Sequence, residues 1–259
     1  MTLPFLSADH LESFILVLVR VSAIIVVIPV LSEKNVPVMI KAGLAVIVSV
    51  VIFPLVAGTV PSTKNYHLFH LITLIAGEVL IGLTIGFTAR LLFAAIQIAG
   101  DIIGFQMGFA VANVIDPMSE QSVSIITQLK YLIAMLLFIT VNAHHLFFLA
   151  IIQSYQFVAP LSFHFSPNLM QFIFITSKEM FVIGLKIAAP LMAVMIFTNV
   201  ALGVVARTVP QMNIFIVGFP LQISMGLIFI GLTAPVFIRM TQALFNSLEG
   251  KIISALRLM

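Results

Sequence analysis

The sequence predicts an all-α membrane protein of about six long, kinked helices arranged as helical hairpins. Of the 259 residues, 61% are hydrophobic and only 8% are charged, against roughly 45–50% and 25% in soluble domains. The apolar residues form runs without Asp, Glu, Lys or Arg, namely Ala42–Thr63, Tyr131–Ser177, Ile187–Ala206 and Thr208–Ile238, and about 20 apolar residues suffice to cross a bilayer. Segments of about ten residues alternating apolar and polar, the mark of a spanning β-barrel, are absent.

Helical segments are expected at about 11–31, 42–60, 67–100, 123–156, 168–206 and 213–238. Pro37 precedes the second, and Pro61 with Lys64 follows it. Asp116-Pro117 separates the third from the fourth, Pro160 and Pro167 the fourth from the fifth, and Pro210 the fifth from the sixth. Each proline removes a helix donor or restrains the residue before it. Pro29, Pro54, Pro190, Pro220 and Pro235 lie within apolar runs and predict kinks. Tyr66, Tyr131 and Tyr155 fall near segment ends, as interfacial anchors do. Segments 67–100 and 168–206 amount to about 51 and 58 Å of helix, against a hydrocarbon core near 30 Å. They must tilt, break or project. Lys178, Glu179 and Lys186 sit well inside the second of them, which suits helices packed mainly on other helices better than helices bathed in lipid. After Arg239 a more polar tail, 239–259, places Leu244, Leu248, Ile252 and Leu256 at a spacing of four, an amphipathic stripe for a surface, a partner helix or a core.

No Lys or Arg precedes Arg20, so the N-terminal region lacks the basic start of a cleavable signal and the first apolar run is expected to stay. Basic residues are spread with little asymmetry, and Arg239, Lys251 and Arg257 give a weak preference for a cytoplasmic C-terminus. With no cysteine, disulfides, thiolate metal sites and thiol nucleophiles are excluded. A net charge of +3 without a basic block leaves no footprint for nucleic acid. No G-x-S-x-G elbow or H-E-x-x-H pair is present. His144 and His145 are adjacent, hence some 100° apart on a helix, and no carboxylate lies between Glu120 and Glu179. No catalytic residue, metal ligand or cofactor is therefore expected.

The candidate functional residues are the polar interruptions. Arg20, Glu78, Arg90, Asp101 and Lys186 lie in or beside apolar runs, where a charge costs about 2.5–3.5 kcal/mol on insertion scales. Along a helix Glu78 and Arg90 are about 18 Å apart and Arg90 and Asp101 about 16 Å, so pairing must be between helices or subunits. An ion relay in a small ion-coupled secondary transporter or channel is the alternative use of these charges. Gly82 and Gly86 form a G-x-x-x-G step suited to close helix packing. Gly100, Gly104 and Gly108 recur every four residues, with Gln106, Asn113 and Asp116 adding polar groups that lipid would penalise. A second interruption holds Arg207, Pro210, Gln211, Asn213, Gly218 and Pro220 and reads as a hairpin tip. There Pro210 ends one helix, Asn213 can cap the next, and Gly218 and Pro220 bring a kink.

At these two interruptions the chain resembles a known family. The run Gly104-Phe-Gln-Met-Gly-Phe-Ala followed by Asp116-Pro117, with the run from Ala206 through Pro210-Gln-Met-Asn213 to Gly218-Phe-Pro220, is similar to the FliR family of type III secretion export-gate proteins, leaning to its flagellar branch. The resemblance covers essentially the whole chain. It implies one subunit built into a helical, hetero-oligomeric export gate with FliP-like and FliQ-like subunits, contacted by a FlhB-like subunit. That gate sits in the bacterial inner membrane at the flagellar basal body and passes unfolded flagellar proteins. It also implies a P-like part over 1–130 that includes a plug loop at 100–122, and Q-like hairpins over 131–238. Gly104, Phe105, Gln106, Met107, Gly108, Phe109, Asn113 and Asp116 would then form the pore plug, with Phe105, Gln106, Met107 and Phe109 as lumen contacts.

Overall fold

Helix α1 (Ala8–Val27) stops where Pro29 holds Ile28 at φ −55° and ψ 126°, outside the helical region. The four-residue α2 (Pro29–Ser32) begins on that proline, at the position where a missing N–H costs least. Helix α3 (Val38–Val56) starts directly after Pro37, whose carbonyl accepts from the amides of Ile40 and Lys41. The order continues with α4 (Leu68–Gln106), α5 (Ile125–Thr140), α6 (His145–Phe157), α7 (Pro167–Thr208), α8 (Ile214–Asn246) and α9 (Leu248–Arg257). The computed structural model describes residues 8–33, 36–56, 58, 68–109, 124–209, 211 and 214–259, and no strand occurs among them. Among the described residues, four helical stretches are long and apolar enough to cross a membrane: Val38–Val56, Ile72–Gln106, Pro167–Thr208 and Ile216–Arg257. A fifth is added if α5 and α6 together make one broken span.

The expected segments map onto these elements with five differences, the first being that segment 42–60 begins four residues earlier, at Val38. Segment 11–31 is divided at Ile28 by Pro29. Segment 67–100 runs on to Gln106, past residue 100 where the resemblance implied that the plug loop begins. Segment 123–156 is broken at 141–144, where Asn142 adopts φ 56° and accepts from the amide of His145 at 3.0 Å. The last segment extends to Asn246, with Pro220 and Pro235 inside it. Pro54 and Pro190 likewise lie within α3 and α7. Threonines buried in these helices return their hydroxyls to the preceding turn. Thr88, Thr176 and Thr198 donate to the carbonyls of Thr84, Phe172 and Val194 at 2.8–2.9 Å, whereas the buried hydroxyls of Ser49 and Thr241 find no partner among the described residues.

The chain divides into two compact units, Met1–Leu91 with Asn142–Thr176 and Phe245–Met259, and Leu92–Val141 with Ser177–Leu244. In the first, α1 packs on α3 and α6, and α9 packs on α6. Val17, Val21, Ile24, Ile25, Ile81, Ile85, Phe147 and Ile151 are its fully buried centre. Helix α4 approaches α1 closely through Gly82 and Gly86. A Cβ on Gly82 would stand 2.6 Å from the Cβ of Ala23, and one on Gly86 would collide with Val27. Leu248, Ile252 and Leu256 of the amphipathic stripe are buried, whereas Leu244 falls in the other unit and is half-buried. Tyr155 is no interfacial anchor. It is buried, with its hydroxyl donating to the carbonyl of Val17 at 3.4 Å. Tyr66 lies outside the described residues.

In the second unit the distal half of α4 packs with α5, α7 and α8. Phe93 meets Phe138 edge-on at 5.5 Å and Tyr131 at 5.6 Å. Gly184 of α7 presses on α4, where a Cβ would lie 2.9 Å from the carbonyl oxygen of Ala95. Buried Lys130 sets its ammonium 4.2 Å from the ring centroid of Phe237, a cation–π contact that replaces a counter-ion at a desolvated site.

Candidate functional site

The first constellation is a knot of buried polar groups in the first unit. Arg20 on α1 is fully buried and Glu78 on α4 nearly so. The guanidinium grips both carboxylate oxygens, donating through Nε to Oε2 and through Nη2 to Oε1, the latter at 3.0 Å. Its Nη1 donates to the carbonyls of Ser154 and Val158, each at 3.1 Å. The Tyr155 ring lies 4.2 Å from the guanidinium carbon. Glu78 Oε1 also accepts from the amide of Leu161 at 2.7 Å, in a turn where Leu161 itself takes φ 63°. One ion pair thus ties α1, α4, the end of α6 and the turn after it. The planar fork of arginine suits this bidentate grip, and its surplus donors reach two carbonyls at the C-terminal end of α6, that of Ser154 already accepting from the Val158 amide at 2.9 Å.

The second constellation is the end of α4 in the second unit. Gly108, at φ +85°, donates to the carbonyl of Phe105 at 3.1 Å, and Phe109 donates to that of Gly104 at 3.1 Å. That pair of bonds is a Schellman motif, with glycine at the left-handed position. The three glycines spaced by four let three elements approach. A Cβ on Gly100 would lie 2.6 Å from the Cα of Thr127, one on Gly104 would strike Ser124, and one on Gly108 would meet Phe219 at 3.1 Å and Gln222 at 3.2 Å. Ser124 caps α5 by accepting from the amide of Ile126 at 3.3 Å, and Thr127 donates to Asp101 at 2.6 Å. On α8, Gln222 donates to Asn199 of α7 at 2.6 Å.

The expected plug residues therefore divide. Gly104, Phe105 and Gln106 belong to the last turn of α4 rather than to a loop starting at residue 100. Met107 is fully buried, its side chain lying where a Cβ on Gly226 of α8 would be. Phe105 is 69% exposed, and Phe109 is half-buried. Asn113 and Asp116 lie outside the described residues. Of the expected charges, Arg20 and Glu78 meet each other, Asp101 meets Thr127, and Arg90 and Lys186 are exposed. At the hairpin tip, Arg207 and Gln211 are exposed, Gly218 is buried near Leu202, and Pro220 is exposed within α8. Pro210 and Asn213 lie outside the described residues. Ser124, Thr127, Ser154, Asn199 and Gln222 were not singled out by sequence, and Tyr155 was read only as an interfacial anchor. Only Ser124, a cap residue directly before the apolar run of α5, carried a readable signal.

Fold and constellations together define a multi-pass, all-helical membrane protein in which the buried pair Arg20 and Glu78 joins helices. The chain belongs to the family described as bacterial export proteins, family 1, whose profile matches residues 11–248. It is 38% identical over 224 residues to the flagellar biosynthetic protein FliR of Bacillus subtilis, covering 85% of both chains. To FliR of Escherichia coli K12 it is 32% identical over 232 residues, 89% of this chain and 87% of the relative. To FliR of Aquifex aeolicus it is 29% identical over 232 residues, 88% of each. It is accordingly a membrane component of the flagellar protein export apparatus.

Proposed function

We propose that this chain is a structural, pore-forming subunit of the flagellar type III export gate in the bacterial inner membrane. It assembles with FliP-like and FliQ-like subunits, is contacted by a FlhB-like subunit, and passes unfolded flagellar proteins. In this reading 1–130 is the P-like part and 131–238 the Q-like part. The segment after Gly108, through Asn113 and Asp116, plugs the closed pore and is pushed aside by an exported chain.

The observation that carries the plug reading is the way α4 ends. Met107 is anchored beneath α8 and Gly108 turns the backbone through a left-handed residue, while Phe105 and Phe109 keep exposed ring surface at the point of departure. An anchored hinge with a free aromatic edge suits a segment that must swing and reseat, and apolar constrictions resist ions by dewetting. The transporter alternative loses ground at Glu78, since both its oxygens are engaged inside the protein.

Replacing residues 110–122 by a short Gly-Ser bridge, in cells expressing the whole apparatus, tests the reading through membrane ion leak and export of flagellar proteins. Raised leak or altered export with a normally assembled gate is expected. Wild-type leak together with wild-type export would contradict it.

A further inference from the structure

Helix α4 carries an arginine with no partner among the described residues. Arg90 is exposed and among those residues has neither a hydrogen bond nor an ion pair, while Arg20 is gripped by a carboxylate and two carbonyls. No acidic residue lies within ten positions of it on α4, and it stands about midway between Glu78 and Asp101, about 16–18 Å from each along the helix. A guanidinium so placed on a membrane-length apolar helix is costly in lipid.

The surface around it has a particular shape. Between residues 76 and 90 the exposed positions are Ala76, Leu80, Leu83, Phe87 and Arg90, at spacings of four, three, four and three, and every position between them is buried or half-buried. That is a strip one side chain wide, the seam that a single packed helix fills. Helix α3 differs. Its exposed residues come in adjacent pairs such as Val46–Ile47 and Val50–Val51, the broad apolar arc that suits lipid.

We infer that the strip ending at Arg90 docks one helix of a partner subunit of the export apparatus, and that this helix presents a carboxylate to Arg90. The inference rests on the export-gate reading. The chain already displays the chemistry in Arg20 and Glu78, where a buried guanidinium takes both oxygens of one carboxylate. Leu80, Leu83 and Phe87 supply the apolar flank that excludes water from the pair.

The test uses the full chain co-expressed with the FliP-like and FliQ-like proteins of the same bacterium. In one arm, p-benzoylphenylalanine replaces Phe87 in the otherwise unaltered chain. Light should give an adduct with a single partner subunit, mapped to a segment one turn from an Asp or Glu. In the other arm, Arg90→Glu should lower the assembled fraction at least tenfold at unchanged abundance of the chain in membranes, and Arg90→Lys should lower it less. Reversal of the mapped acid to Lys should restore assembly with Arg90→Glu. Lipid adducts alone, adducts with a second copy of this chain, or undiminished assembly of Arg90→Glu would overturn the inference while leaving the gate intact. Failure of the unaltered chain to assemble would remove the export-gate reading and this inference with it.

Discussion

Arg20 is satisfied by a carboxylate, two backbone carbonyls and an aromatic face. Deleting one member of a buried pair strands the other charge, at about 3–5 kcal/mol. Arg20→Met and Glu78→Leu are therefore each expected to lower the thermal stability of the detergent-solubilised chain by about that amount. The double variant Arg20→Met/Glu78→Leu should recover a good part of the loss, since no charge remains unpaired; losses that simply add would contradict the pairing. At Gly108 the left-handed backbone predicts a loss of about 1–2 kcal/mol for Gly108→Ala, with Gly108→Asn milder because asparagine tolerates that region. Unfolding midpoints rank the two. The cost of unpaired charges and the need for partners from another helix were legible in the sequence. That Arg20 chooses Glu78, 58 residues away, was not, because nothing in the spacing distinguishes that carboxylate from Asp101.

Helix ends were legible at Pro167, where α7 opens one residue before the expected start, and misread at others. Pro29, read as a kink within segment 11–31, ends α1 at Val27, and α3 begins directly after Pro37, four residues before the expected start at 42. The resemblance implied a loop from residue 100, yet the helix uses Gly100 and Gly104 for close approach, and α4 ends only at the glycine whose backbone turns left-handed. The break between α5 and α6 carries no proline or glycine and depends on Asn142 taking a positive φ, a choice made by tertiary packing. Close approach yields a graded expectation. Gly100→Ala should be the most damaging helix substitution, by about 1–3 kcal/mol of overpacking, because the obstacle is the backbone of Thr127. Gly104→Ala should cost less, its obstacle being the side chain of Ser124. Gly250→Ala, with nothing within 4 Å inside α9, should stabilise by about 0.5–1 kcal/mol through helix propensity. Thermal unfolding of the three variants would refute this order if Gly100→Ala were neutral.

At the scale of the whole molecule, much apolar surface is left uncovered. Only 28% of the spanning window in α3, 28% of that in α7 and 11% of that in the Ile216–Arg257 stretch is buried within the chain. Met39, Val38, Phe197 and Ile216 are 71–87% exposed. Apolar surface on that scale marks contact with protein or membrane. Exposed Arg90, Lys186 and Arg207 on α4 and α7 favour protein for part of it. The chain expressed alone is expected to be recovered in lower yield, and to aggregate more in mild detergent, than the chain expressed with its partners, as size-exclusion profiles would show. Composition alone made the class legible. The two compact units were not, because each gathers segments far apart in sequence.

The central claim is that this chain works only as part of a hetero-oligomeric gate. Native mass spectrometry of the complex purified after co-expression with the FliP-like and FliQ-like proteins of its own bacterium tests it most directly. A stable assembly holding one copy of this chain with several copies of each partner is predicted. A monomer or homo-oligomer that leaves those partners behind would contradict the claim.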